Sequence, residues 1–384
     1  YYSIANGAWN NGNNWSIVSH AGPAAASYPD AGDVAYIQDN SISVSSTEVC
    51  AEVNINVNSS NTQLDVNAGQ LTVSGALNVT NTGNNFNGNV IVQSGGTLTV
   101  NDAATFTRNG GANAFGLTVN TGSSLTINKD LTWNSTGGTV TNNTFTLNGS
   151  AAVNIGQDLI LNHTGGMKIF TQLNNTSTLT VNRDIQYIAS ADNKTEIELS
   201  NTASLRIKRN VLRGSPAYGK LTSNNSSNVI YNGIANSQIV GAGGSGTGDT
   251  FTYQNLTFDN THITVPQLTI QGGNLTVQKQ LVLANGVVRT TSSNLLVVND
   301  ATTTLLGSSS SYIQGPLRKI GSSAYTFHVG KNNEYAPLTI SAPSVPTDYF
   351  TAEYFKTDPT PTYNTALKDV SIHHVSTSEY WTLD

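Results

Sequence analysis

Two short alternating apolar runs, separated by a polar corner, recur along the middle of the chain. The clearest copy is residues 125–133 (LTINKDLTW), where Leu125, Ile127, Leu131 and Trp133 point one way and Thr126 and Thr132 the other. Equivalent copies start at Leu71, Leu98, Val153, Leu179 and Leu205, and successive starts are 27, 27, 28, 26 and 26 residues apart. A near-constant period in this range marks a repeat architecture. A third alternating run lies between copies, as at residues 90–92, 117–119 and 145–147. Three strands per coil, with corners between them and almost no helical periodicity, predict an all-β fold: a right-handed parallel β-helix.

Stacked coils lie ~4.8 Å apart, so equivalent positions become neighbours. Two residues after each start stand Val73, Val100, Ile127, Ile155, Val181 and Ile207. Six after stand Leu77, Ala104, Leu131, Leu159, Ile185 and Val211. Both rows are apolar throughout and are expected to line the core. The row eight after reads Val79, Phe106, Trp133, Leu161, Tyr187, Arg213, so the coil is expected to change shape at Arg213. Trp133 and Tyr187 in a core each need a partner for their polar atom.

The pattern predicts three segments. Residues 1–40 have a different texture, with Trp9, Trp15, Tyr28 and Tyr36 among Asn and Gly. They are read as an N-terminal cap over the open solenoid end. Residues 41–312 are read as the β-helix, with an early coil at 42–44 and an irregular loop at 214–250 that includes the glycine-rich run GAGGSGTGD. Smaller coils follow, starting at Leu256, Leu275 and Leu295, 19 and 20 residues apart. With a weak start at Val229, eleven coils are expected, roughly 50 Å in length. Residues 313–384 hold six of the ten prolines and short alternating runs. They are read as a small β-sandwich-like domain that lacks a strand, to be supplied by following residues or a neighbouring molecule. Tyr380, Trp381 and Leu383 on the last run are the assembly candidates.

Composition narrows the function classes. The formal net charge is −6 and only 10% of residues are charged, which gives no electrostatic reason to expect nucleic acid. Cys50 is the only cysteine, so no intrachain disulfide can form. No apolar run approaches the ~20 residues of a membrane span. The start at Tyr1 without Met suggests a mature product whose leader has been removed.

No Gly-x-Ser-x-Gly elbow, His-Glu-x-x-His zinc motif or phosphate loop is present. The histidines are scattered, and His373 and His374 share one apparent strand, where adjacent side chains face opposite ways. Cys50 lacks a visible base. The sharpest polar ladder is Asp130, Asp158, Asp184 and Asn210, five residues after the starts. No cofactor is expected beyond Ca²⁺, which stacked carboxylates suit; they also suit the acids of a polysaccharide lyase with Asp184, Arg183 and Arg209 at its centre. The preceding row of Lys129, Gln157, Arg183 and Arg209 favours instead a corner stabilised by neighbouring opposite charges. The outward row Thr72, Thr99, Thr126, Asn154, Thr180, Arg206 fits exposed strand positions. Trp9 and Trp15 are read first as cap packing and secondly as carbohydrate-stacking residues.

Both ends of the chain bear a likeness to known proteins. Trp15-Ser16, Pro29 and Gly32-Asp33-Val34 resemble the entry to long β-helical surface proteins of Bacteroidota. Residues 315–319 (GPLRK), 325–330 (YTFHVG), 335–338 (YAPL) and 379–381 (EYW) resemble their companion module, with His328 departing from the Pro expected there. The resemblance implies type IX secretion, display at the cell surface and an adhesin-like role. The sorting domain such proteins carry is not visible. The expectation is therefore an extracellular, non-enzymatic shaft that meets polysaccharide or a cell-surface ligand, and that joins following domains or copies of itself by strand addition. A β-helical polysaccharide lyase or glycoside hydrolase is the alternative.

Overall fold

A computed structural model describes residues 1–82, 86–110, 114–137, 143–243 and 248–384. The fold is an all-β parallel β-solenoid of about 10 turns. The chain forms two compact units, Tyr1–Val229 with Gly244–Phe251, and Ile230–Gly243 with Thr252–Asp384.

Each regular coil of the first unit has three strands, as in Ser124–Ile127, Leu131–Ser135 and Asn143–Leu147. Their neighbours stack in parallel and in register. Leu98 lies opposite Leu125, and Phe106 opposite Trp133. The rows anticipated from the repeat are the rows observed, and their apolar members are buried up to the last coil. Period-2 alternation forces this result, because a one-residue slip would turn every core side chain to solvent. The corner after the third strand recurs in left-handed backbone at Ala68, Asn175, Asn201 and Asn225, and at Gly122 and Gly149. Asn and Gly tolerate that conformation best, which accounts for part of the chain's bias towards them. At Gly156, in the corner after the first strand, a Cβ would lie 2.1 Å from the Asn128 carbonyl oxygen of the coil beneath, so this one coil approaches its neighbour too closely for a side chain.

The ten-stranded sheet of second strands ends at Val211–Arg213, where the change of shape was expected. There the Arg213 guanidinium lies 3.9 Å from the centre of the Phe251 ring. Trp133 is fully enclosed, yet its indole nitrogen has no hydrogen-bond partner among the described residues, contrary to the expectation of one. It stacks on Phe106 at 4.5 Å, between Phe115 and Phe145.

Residues 214–250 are not one irregular loop. Lys220–Ser223 continues the ladder of third strands against Thr195–Leu199, because Leu221 and Ser223 keep the inward alternation. Residues 244–247 of the glycine-rich run lie outside the described residues.

In the second unit, Gln238–Gly241, Leu268–Gln271, Val288–Arg289 and Ile313–Gln314 form one parallel sheet. The coil starts differ from expectation. Leu256 is level with Leu281, not Leu275, and Leu275 is level with Leu296. Leu275–Asn285 is a single 11-residue strand carrying two alternating runs, so either leucine can pass for a start. Residue 312 is not a break in the ladder. Leu317–Ile320 pairs in parallel with Leu296–Val298, and antiparallel with Tyr349–Phe355, which then pairs with Tyr380–Leu383. Two short hairpin pairings, Tyr325–Phe327 with Leu338–Ile340 and Gly330–Lys331 with Glu334–Tyr335, complete a small antiparallel module. His373 and His374 lie on no strand, since none is found between Phe355 and Tyr380.

The cap likewise merges with the coils earlier than residue 40. Val34–Gln38 already pairs in parallel with Glu52–Val57, and Tyr2 of the leading segment lies opposite Tyr36.

Candidate functional site

The acidic ladder is a set of hydrogen bonds between coils. Asp130 Oδ1 accepts from the Asp158 amide at 2.9 Å, Asp158 Oδ1 from the Asp184 amide at 3.0 Å, and Asp184 Oδ1 from the Asn210 amide at 2.9 Å. The second oxygen of Asp158 accepts from Gln186 Nε2 at 2.9 Å. Arg183 Nε lies 3.5 Å from Asp158, and Arg209 Nε 3.7 Å from Asp184. Asp158 and Asp184 are buried. Each carboxylate thus serves the next coil's corner, the structural role expected from the sequence, by accepting from an amide one coil away. Among the described residues no group of three or more His, Cys, Asp or Glu side chains is placed to hold a metal.

The role can be measured. Asp158→Ala strands the buried Asp184 amide and is expected to cost the first unit about 1–3 kcal/mol in urea unfolding. Asp158→Asn keeps an acceptor oxygen and should cost less. Equal stability of Asp158→Ala and the parent would remove the corner role.

Trp9 and Trp15 are fully buried and offer no face to a sugar. Their indole nitrogens donate to the Pro29 and Trp9 carbonyls at 3.1 and 2.7 Å, and the rings meet edge to face at 5.1 Å. They are the core of the cap, and the carbohydrate-stacking reading of this pair is set aside.

The exposed aromatic near the cap is Tyr36, at 38%. It stacks on Tyr2 with ring centres 5.0 Å apart, and the His20 ring meets Tyr2 edge-on at 5.2 Å. His20 Nδ1 donates to the Ser3 carbonyl at 2.7 Å. A groove of about 320 Å³ opens beside Tyr36, lined by His20, Gln38, Asn54, Asn56, Asn78 and Thr80. Sequence reading missed this group because it is drawn from the leading segment and three coils. Two columns of outward side chains build it. Tyr36, Asn54 and Asn78 face one another across successive strands, as do Gln38, Asn56 and Thr80. The amides are held in place: Asn78 Nδ2 donates to Asn54 Oδ1 and Glu52 Oε1, both at 3.1 Å, and Asn56 Nδ2 to Gln38 Oε1 at 3.3 Å.

A second arrangement not visible in sequence joins two carboxyls 57 positions apart. Asp249 is fully buried, and its Oδ1 accepts from the Gly219 and Asn193 amides at 2.9 and 3.2 Å. Burial pushes its carboxyl up, and the neighbouring Asp192 carboxyl adds to this against the two amides. Nearby, Glu196 is buried between Lys168 and Lys220 and accepts from Thr222 at 2.8 Å. Cys50 is enclosed, and burial followed by the charge of Asp33 pushes its thiol up to about 12, which removes it as a nucleophile at neutral pH.

Of the assembly candidates, Tyr380 stacks on Phe355 at 4.8 Å, and Trp381 donates its indole N–H to the Ala336 carbonyl at 2.9 Å. Leu383 stays 43% exposed.

No model of a known protein family, no curated protein and no solved structure matches this chain.

Proposed function

We propose that this protein is an extracellular structural protein displayed at a cell surface, with the solenoid as a rigid shaft and its outward face as a contact surface for polysaccharide. The observation that carries this reading is the outward surface of the coils, where uncharged side-chain amides of successive coils are bonded to one another. Asn128 donates to Asn101 at 3.0 Å, Asn162 to Asn134 at 2.9 Å, and Asn182 to Asn154 at 2.9 Å. Preordered polar groups lose little entropy on meeting a ligand, and weak contacts repeated along one face add through multivalency. The likeness of the chain's ends to Bacteroidota surface proteins supports the same reading, with type IX export as the route. A second reading, polysaccharide cleavage, is favoured by the Asp192–Asp249 pair, because a carboxyl whose hold on its proton is raised by burial, with a second carboxyl beside it, is the kind of pair that acid–base hydrolysis uses.

Immobilised polysaccharides separate the two. Retention of the protein without release of soluble sugar is the expected result. Release of reducing or unsaturated ends would overturn the structural reading and move Asp192 and Asp249 to the centre.

A further inference from the structure

We propose that the groove beside Tyr36 is a binding site for a neutral, linear polysaccharide, with Tyr36 as the stacking platform for one sugar ring. The inference rests on the adhesive reading and deepens it by naming the site and the charge of its ligand.

Tyr36 is partly exposed, lines the groove and is stacked on Tyr2, whose own edge contact with His20 holds the stack in place. A preorganised aromatic face with polar groups at its margin suits a sugar, whose C–H face packs on the ring while its hydroxyls reach sideways. The margin here is amide and hydroxyl. Asn54 and Asn78 follow Tyr36 along one column, and Gln38, Asn56 and Thr80 run along the next. Successive members are about 4.8 Å apart, so they offer donors and acceptors at regular steps along an extended chain rather than around a compact ligand. At about 320 Å³ the groove lies at the small end of ligand sites, roughly 300–1,000 Å³. That size fits one ring seated at Tyr36, with the rest of the polymer lying along the open columns.

Charge decides the class. Among the described residues, no Lys or Arg lines the groove to meet a uronate or sulfate. His20, its one basic group, spends Nδ1 on the Ser3 carbonyl. The Glu52 carboxylate is bonded to one column, accepting from both Asn54 and Asn78 at 3.0 and 3.1 Å. An acidic polysaccharide would meet that charge without compensation.

The test is affinity electrophoresis of the full chain through gels containing hydroxyethylcellulose, xylan or polygalacturonate. Tyr36→Leu, Tyr36→Trp and Asn78→Ala are compared with Thr269→Val, a control at an outward position of the strand Leu268–Gln271 in the second unit, off both columns. Expected is retention by a neutral gel but not by polygalacturonate, weakened about fivefold in Tyr36→Leu and kept in Tyr36→Trp and Thr269→Val. Thermal unfolding of each variant identifies loss of binding caused by loss of the cap, and Asn78→Ala, outside the cap, should weaken retention without lowering the melting temperature. Retention of the parent with equal retention of Tyr36→Leu and Asn78→Ala would overturn the site and leave the adhesive reading standing. Failure of every polysaccharide to retain the parent would overturn both. Preferential retention by polygalacturonate would overturn the neutral assignment.

Discussion

Trp133→Ala lowers the stability of the first unit by about 3–5 kcal/mol, the range for removing a large aromatic from a packed core. The ring fills the solenoid interior between Phe106, Phe115 and Phe145, and no polar atom of a neighbour depends on it. In a stacked array each coil is held by its neighbours, so a cavity in this coil also weakens both of its interfaces. Chemical denaturation followed by circular dichroism should show an earlier midpoint, and a broader transition if the coils on either side uncouple. Trp133→Phe is expected to differ from the parent by less than about 1.5 kcal/mol, because it keeps an aromatic surface and removes an indole N–H that has no partner among the described residues. Leu161 at the same position one coil on indicates that Trp133→Leu should fall between the two. A parent-like Trp133→Ala would mean that the aromatic cluster is not what holds these coils together.

The same residues show how far sequence carries. The rows through Leu125, Ile127, Leu131 and Trp133 were legible because each is apolar in coil after coil and strand alternation allows only one register. The corner role of Asp130, Asp158 and Asp184 was legible from the basic row beside it, but the amide partner one coil away was not. The groove was hidden for a definite reason. Ala35, Val53 and Leu77 are level in the sheet, yet the steps between them are shorter than the 26 to 28 residues of the later coils, so Tyr36, Asn54 and Asn78 never align at the main period. Nor can sequence tell a buried aromatic from an exposed one in an irregular segment: Trp9 and Trp15 face inwards and Tyr36 outwards, and only the path of the cap decides it. Leu256 and Leu275 were set level because a long strand offers two equivalent starts.

The cap is where the largest change in behaviour, as distinct from stability, is expected. Gly7–Ala8 pairs with the strand Ser41–Val44, the Trp9 amide donates to the Ser43 carbonyl at 2.7 Å, and Tyr2–Ser3 is paired with Trp15–Ser16 on one side and reaches Tyr36 on the other. The leading segment therefore covers backbone groups that would otherwise form open sheet edges. Trp15 is enclosed against Trp9, so Trp15→Ala is expected to cost about 3–5 kcal/mol by the same cavity argument. Loosening the cap then exposes the edges of Val34–Gln38 and Ser41–Val44, and open edges pair with other chains. Sedimentation velocity over a range of concentrations should show Trp15→Ala shifting to larger species as concentration rises, with a lowered melting temperature. The parent, whose leading strands stay paired, should keep one size across the same range. Trp15→Phe keeps most of the buried surface but gives up the hydrogen bond to the Trp9 carbonyl, and it should lose stability with little association. If Trp15→Ala melted early but stayed at one size at every concentration, the aromatic pair would be packing alone, and edge protection would rest on the backbone pairing of the leading strands.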